Sequence, residues 1–374
     1  MFQDLKVIEL ASVLAGPSVG QFFAELGARV IKIENLKTGG DVTRSWKIAG
    51  EKEGDQSAYF CSCNWGKKSA ALDLDTARGK EIVHKLAVTA DVVIASYKPG
   101  DAEKLGVGYE KLRSVNEQII YGQITGYGSR NGRVGYDAVI QAEAGFMDLN
   151  GEKNGPPVKM PVALIDILAA HQLKEGLLLT LLKKERTGKG GLVEVSLLQA
   201  ASASLANQAT NWLIAKKLPT RQGSSHPNIA PYGESFLTKD GRRILLAVGN
   251  DRQFTDLLKV LEAETPGQDR FAVNQHRVEN REVLDVLLSD KIGQWNSEEL
   301  LRRLNEKKIP AGLIQNMKQV FEMEAAKSIL LQAGGLTSVR NFVATLPEKP
   351  RPILPPPKFG EHTEEVLNGN GWEQ

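Results

Sequence analysis

One residue stands out for the chemistry its neighbours would allow. Asp166 sits in the run KMPVALIDILAAHQLKEGLLLTLLKK (159–184), where Ile, Leu, Ala and Val surround a single carboxylate. Aspartate is among the residues least often buried without a partner. It is also a favoured helix N-cap, because its side chain accepts an otherwise orphaned backbone N–H. The run therefore has two readings. In one, Asp166 caps a core helix. In the other, it is a nucleophile held at a helix start in an apolar pocket. His171 follows five residues later, about 140° around a helix at 3.6 residues per turn. That places it off the face of Asp166.

The elements that would position this carboxylate come from the flanking pattern. LKVIEL (5–10) is strand-like, Ser18 to Leu26 helical and VIKIE (30–34) strand-like, giving a strand–helix–strand unit. AALDLD (70–75), DVVIAS (91–96) and IIYGQI (119–124) continue the alternation, with helices at 76–87 and around 102–105 and 109–114. Such alternation predicts an α/β fold, a Rossmann-like large domain with a parallel sheet. GYGSRNGRVG (126–135) has four glycines in ten residues and reads as a loop at a strand end, where such sheets bind ligands. At Asn228 the texture changes, and FLTK-DG-RRILLAV reads as a hairpin followed by helices. The domain expectation is a large domain over 1–200, a linker over 201–225 and a smaller α+β domain over 226–320. A linker and Pro-rich tail over 321–374 would return to the large domain.

Composition excludes several classes. The chain has 374 residues, 41% hydrophobic and 25% charged, with a net charge of +2. That charge is too mild to argue for nucleic acid. The N-terminus MFQDLKVIEL lacks a signal-peptide core, and no run reaches the ~18 apolar residues of a membrane span. Cys61 and Cys63 are the only cysteines, which makes a disulfide framework or a zinc site improbable. The expectation is a reduced cytoplasmic protein with no metal. GxGxxG, GxxxxGK[ST], GxSxG and HExxH are all absent.

Several stretches, taken in order, resemble the family III coenzyme A transferases, the CaiB/BaiF family typified by formyl-CoA transferase and carnitine CoA-transferase. They are VIELASVLAGPSVGQFFAELGARVIKIE, GGDVTR (39–44), NWGKKSAALDL from Asn64, ADVVIASYKPGDAEKLG (90–106), ITGYG…GYDAVIQAEAGFM (124–147), MPVALID ending at Asp166, HPNIAPYG (226–233) and PPPKFGEHTEEVL (355–367). Each motif alone is weak; the ordered set is specific.

The resemblance implies an interlocked homodimer. It also implies transfer of CoA from an acyl-CoA to a free carboxylic acid, with the CoA thioester as substrate and no prosthetic group. Asp166 matches the family's catalytic aspartate, expected to pass through a mixed anhydride and an aspartyl-CoA thioester. A helix N-terminus would favour its anion. Tyr136 and Asp137 match an active-site tyrosine and acidic residue. Val13, Ala15 and Leu72 match backbone or apolar contacts to CoA, and Lys104 matches a CoA-contacting arginine. Asn35 stands where formyl-CoA transferase has an arginine, and Lys37 is a candidate to substitute for it. Arg44, Lys67 and Lys68 are further phosphate candidates. Leu14 replaces a glutamine of formyl-CoA transferase, which argues against oxalyl- or formyl-CoA as substrate. The turn at Leu14-Ala15-Gly16 is the candidate oxyanion site. The rivals are an α-methylacyl-CoA racemase-like enzyme and an inactive CoA-binding subunit. Racemases use a His–Asp pair in a GHD motif. This chain has Gly135-Tyr136-Asp137, and tyrosine, with a pKa near ~10, is a poor proton shuttle at neutrality.

Overall fold

The computed structural model describes residues 1–52, 54, 56–264, 270–347 and 352–373. Residues 348–351 of the Pro-rich tail lie outside the described residues. The chain divides into two compact units, one formed by Met1–Ala144, Met160–Ala206 and Lys327–Gln374, the other by Gly145–Lys159 and Asn207–Ala326. The expected first domain ran unbroken over 1–200, whereas residues 145–159 group with the second unit.

In chain order the first unit contains β1 (Lys6–Leu10), α1 (Ala15–Glu25), β2 (Arg29–Asn35), β3 (Lys67–Leu72), α2 (Ala77–Thr89), β4 (Val92–Ala95), α3 (Asp101–Lys104), α4 (Tyr109–Arg113), β5 (Ile120–Thr125) and α5 (Asp137–Glu143). The short helix α6 (Phe146–Leu149) belongs to the second unit. The first unit resumes with α7 (Leu164–Thr187), β6 (Gly191–Ser196) and α8 (Leu197–Ala203). Six strands pair in the order β3-β2-β1-β4-β5-β6, and every pairing is parallel. Order reverses between β1 and β4, the switch point where open parallel sheets bind ligands beyond their C-terminal strand ends.

The central strands are buried on both faces, as in a sheet covered by helices. All four residues of β4 and all six of β5 are buried. Helix α1 starts at Ala15, three residues earlier than the pattern predicts, so Pro17 falls in its first turn. There its missing N–H costs no helical bond. Helix α7 stops at Gly188, whose φ of 68° is a left-handed cap. Near the C-terminus, β10 (Leu330–Ala333) and β11 (Leu336–Val339) form an antiparallel hairpin within this unit. Beyond it, the His362 amide donates to Ser69 O at 2.8 Å, and Thr363 Oγ1 accepts the Ala71 amide at 2.9 Å. These bonds satisfy the free edge of β3.

The second unit is built on an antiparallel sheet of β7 (Tyr232–Leu237), β8 (Arg243–Ala247) and β9 (Ala311–Leu313). Phe236, Leu246, Leu257, Leu288 and Leu304 lie in its core. The hairpin expected at Asp240-Gly241 forms, with Thr238 Oγ1 donating to Asp240 Oδ1 at 2.6 Å.

Candidate active site

Two cavities open at the C-terminal ends of the strands, on either side of the switch point. They share Ser12, Ser96 and Tyr97. One, about 470 Å³, has Asn35, Leu72 and Leu105 in its wall. The other, about 200 Å³, brings together Val13, Ala15, Tyr136 and Asp166.

Asp166 is not the N-cap of α7. Ala163 holds that position, and Asp166 is the third helical residue. Its cap is supplied from α5: Asp137 Oδ1 accepts the Ile165 amide at 2.8 Å. The other Asp137 oxygen accepts from Gln141 Nε2 at 2.6 Å, and Gln141 Oε1 accepts the Met160 amide at 2.9 Å. Asp137 and Gln141 thereby latch α5 onto the chain entering α7.

The helix start does not leave Asp166 strongly acidic, contrary to the expectation from sequence. Burial, and after it the neighbouring Asp137 carboxylate, raise its carboxyl to about 7. Asp166 is 7% exposed. A helix terminus contributes roughly 0.3–1 kcal/mol, less than one pKa unit, so desolvation wins. A carboxylate so poorly solvated is a stronger nucleophile once ionised.

The glycine-rich loop is tied at its base. A Cβ on Gly126 would meet the Gly135 Cα at 2.6 Å, so the two ends pass in backbone contact that only glycine permits. The closed loop turns Arg133, Val134 and Tyr136 toward the Asp166 cavity.

On the far side, β1 runs into the turn 11–14 and the start of α1. No side chain caps α1, which leaves its first-turn amides without a side-chain partner, and Ala15 lines the Asp166 cavity. Beneath the turn lies a buried charge network. Lys32 pairs with Glu9 and Asp41, both at 2.9 Å, and Lys67 pairs with Glu9 at 2.7 Å. Arg44 grips Glu34 with Nε at 2.8 Å and one terminal nitrogen at 2.6 Å. Burial alone would lower the Lys32 pKa, but Glu9, Asp41 and Glu34 outweigh it and raise it.

This network removes two of the expected phosphate ligands. Lys67 is 2% and Arg44 5% exposed, each committed to buried carboxylates and carbonyls. Lys68 faces the C-terminal segment, donating to Glu365 and to Glu373 O. Lys37 is held by Asp73 and Asp75, and Asn35 caps the short turn Leu36–Thr38 by accepting the Lys37 amide. Lys104 is exposed and paired with Asp101 at 3.1 Å. Leu14 occupies the N-cap of α1. Tyr136 is 54% exposed at the N-cap of α5. His171 is exposed, away from this cavity.

Tyr59 escaped the sequence reading. Burial, followed by the charges of Asp166, Cys63, Asp137 and Asp41, raises its phenol to about 12. The phenol therefore stays protonated at neutral pH, and its ring is braced edge-on by Trp46 at 5.2 Å between centroids. Nothing in the local sequence of a polar loop signals this. Among the described residues, no group of His, Cys, Asp and Glu could hold a metal ion, and no helix is long and apolar enough to cross a membrane.

The arrangement offers a desolvated carboxylate and, in the same cavity wall, the first turn of a helix that no side chain caps. That is equipment for attack on an acyl carbonyl. Comparison with known proteins points the same way. The pattern of CoA-transferase family III matches residues 2–363. The chain is 37% identical to the succinate–glutarate CoA-transferase of Agrobacterium fabrum, over 97% of this chain and 94% of that one. It is 34% identical to the succinyl-CoA:glutarate CoA-transferase of Homo sapiens, over 98% and 85%. The crystal structure of a CAIB/BAIF family protein from Brucella suis superposes with a TM-score of 0.85 at 38% identity, covering 98% of both chains.

Proposed function

Because the chain belongs to CoA-transferase family III, we propose that it moves CoA from an acyl-CoA thioester to a free carboxylic acid, with Asp166 as the covalent carrier. The observation that carries this reading is the Asp166 carboxyl, buried in the cavity that the first turn of α1 also lines. In the proposed sequence, an Asp166 carboxylate oxygen attacks the thioester carbonyl. The tetrahedral oxyanion is met by the Ala15 and Gly16 amides, and the C–S bond breaks. CoA leaves as thiolate, and Asp166 is left in a mixed anhydride. The thiolate attacks Cγ of Asp166, the donor acid departs as its carboxylate, and an aspartyl-CoA thioester remains. The acceptor carboxylate then attacks Cγ and displaces CoA thiolate. That thiolate attacks the new acyl carbonyl and restores Asp166. No net proton is gained or lost, and neither a metal nor a redox group is required.

In this reading the cavity walled by Leu72 and Asn35 takes the nucleotide end of CoA, and Ser12 and Tyr97 lie where the two cavities meet. Lys98 and Arg133 line the cavity of Asp166. Both relatives described above act on dicarboxylic acids. We assign the same substrate class here, with Lys98 facing the far carboxylate and Arg133, paired with Glu143 at 2.5 Å, beside it. A second copy of the chain is the expected partner. Exposed Leu179 and Leu182 on α7, and Trp212 and Ile214 beyond it, supply apolar surface for it.

The test is to incubate the protein with succinyl-CoA, quench with hydroxylamine or borohydride, and map the adduct. The reading expects modification at Asp166 and CoA transfer to glutarate. An unmodified Asp166 together with deuterium uptake at the α-carbon would overturn it in favour of racemisation. Tight CoA binding with neither result would indicate an inactive binding subunit. Light scattering at twice the monomer mass supports the two-chain assembly, and a monomer counts against it.

A further inference from the structure

Val13 has φ of 74°, the left-handed region. For a β-branched residue that is an outlier, tolerated only where the surroundings impose it. Two buried charges impose it here. The Val13 amide donates to Asp41 Oδ1 at 3.3 Å, and the same oxygen accepts the Thr43 amide at 3.0 Å and its hydroxyl at 2.8 Å. Asp41 Oδ2 lies 2.9 Å from Lys32 Nζ, which also donates to Ala11 O at 2.6 Å. The residues on either side of Ser12 are thus tied to one ion pair, Ala11 through Lys32 and Val13 through Asp41. The two charged side chains are 1% and 0% exposed.

We propose that the buried Lys32–Asp41 pair positions the turn 12–16 for catalysis, holding Val13 left-handed so that the Ala15 and Gly16 amides face the carbonyl attacked by Asp166. Neither charged group lines the Asp166 cavity, although both lie in the wall of the adjoining one; they reach the reacting carbonyl through the turn. What the turn acts upon rests on the function proposed above, but the geometry does not. Glu9 offers Lys32 a second carboxylate. Removing the Asp41 charge therefore leaves the ammonium paired, and the turn is what loses its anchor.

The experiment is a double-mutant cycle of Asp41→Asn with Val13→Gly, with CoA transfer measured per folded molecule. Asparagine keeps an acceptor but gives up the ion pair, and Asp41→Ala serves as the stronger variant where it folds. Glycine takes a positive φ without a Cβ penalty, so the turn of the Val13→Gly variant needs Asp41 less. In the natural background Asp41→Asn is expected to lower kcat by about 10- to 100-fold, the scale of a small misplacement in an active site, with a smaller change in KM. In the Val13→Gly background the same change is expected to lower kcat by only about threefold or less. Equal losses in both backgrounds, or a lower melting temperature with kcat per folded molecule intact, would reduce the pair to a structural role and overturn the proposal.

If the natural chain transfers no CoA at all, the proposed function falls, and amide hydrogen exchange still decides the positioning claim. Asp41→Asn must then speed exchange at Val13 and Ala15 more than in the strands of the sheet. Unchanged protection at Val13 overturns it.

Discussion

The Asp137 carboxylate accepts the Ile165 amide hydrogen at 2.8 Å, one residue before Asp166. A residue on α5 caps α7 and brings a second negative charge close to the candidate nucleophile. That charge adds to burial in raising the Asp166 carboxyl to about 7. One side chain therefore fixes the position of Asp166 and tunes when it is ionised.

Asp166→Ala is expected to lower turnover by at least about 10⁴-fold while the Kd for CoA changes by less than about threefold, since the nucleophile serves chemistry more than ligand binding. Steady-state rates and calorimetric titration with CoA check this. Residual turnover near the natural rate would mean that another group carries the acyl chain.

The rate of the first half-reaction should follow ionisation of Asp166. Attack needs the carboxylate, so kcat/KM for the acyl-CoA should rise with pH up to about 7 and level off above it. Asp137→Asn keeps an acceptor for the Ile165 amide but removes the second cause of the raised value. Its profile should shift to lower pH. A pH–rate series on both proteins measures the two midpoints.

The same group should make stability depend on pH. Asp166 titrates at about 7 in the fold against 3.8 unfolded. Below 3.8 both states hold the proton and nothing is lost. As pH rises from about 4 to 7 the unfolded state releases its proton first, and stability falls. Above 7 the penalty is complete, at most about 4 kcal/mol. Asp166→Asn should therefore raise the melting temperature clearly at pH 8 and little at pH 4.

Lys67→Met should cost about 3–5 kcal/mol, because Glu9 loses one of its two buried cations. Adding Glu9→Gln should not restore full stability, since Lys32 then loses a carboxylate too. Urea unfolding with an unchanged slope would report this as a loss of native stability.

Gly20→Ala should destabilise by about 1–3 kcal/mol. The new Cβ would run into the Glu9 carboxylate and come within 3.2 Å of Lys67 Cε, and both side chains are pinned by ion pairs. Thermal melts of this variant beside Gly39→Ala separate the clash from backbone strain. Gly39 has a positive φ of 76°, which the helical Gly20 does not, and nothing lies within 4 Å of its added Cβ.

Much of the frame follows from local pattern. The apolar runs at 6–10, 92–95 and 120–125 are strands because they can be buried on both faces, and Gly188 ends α7 because it accepts a left-handed φ. Asp166 is marked in the sequence by the mismatch of one carboxylate among aliphatic residues, and the ordered motifs carry the family.

Tertiary structure decided what each polar residue does. Lys67 and Arg44 read like Lys104 in a sequence, as cations beside glycine or polar residues. Only packing separates the first two, buried against Glu9 and Glu34, from the exposed third. Tyr59 feels the charge of Asp166 from a loop with no periodic signal, and Asp137 caps a helix 28 residues away. Desolvation likewise depends on every neighbour in space, so the ionisation of Asp166 could not be read from the helix that bears it.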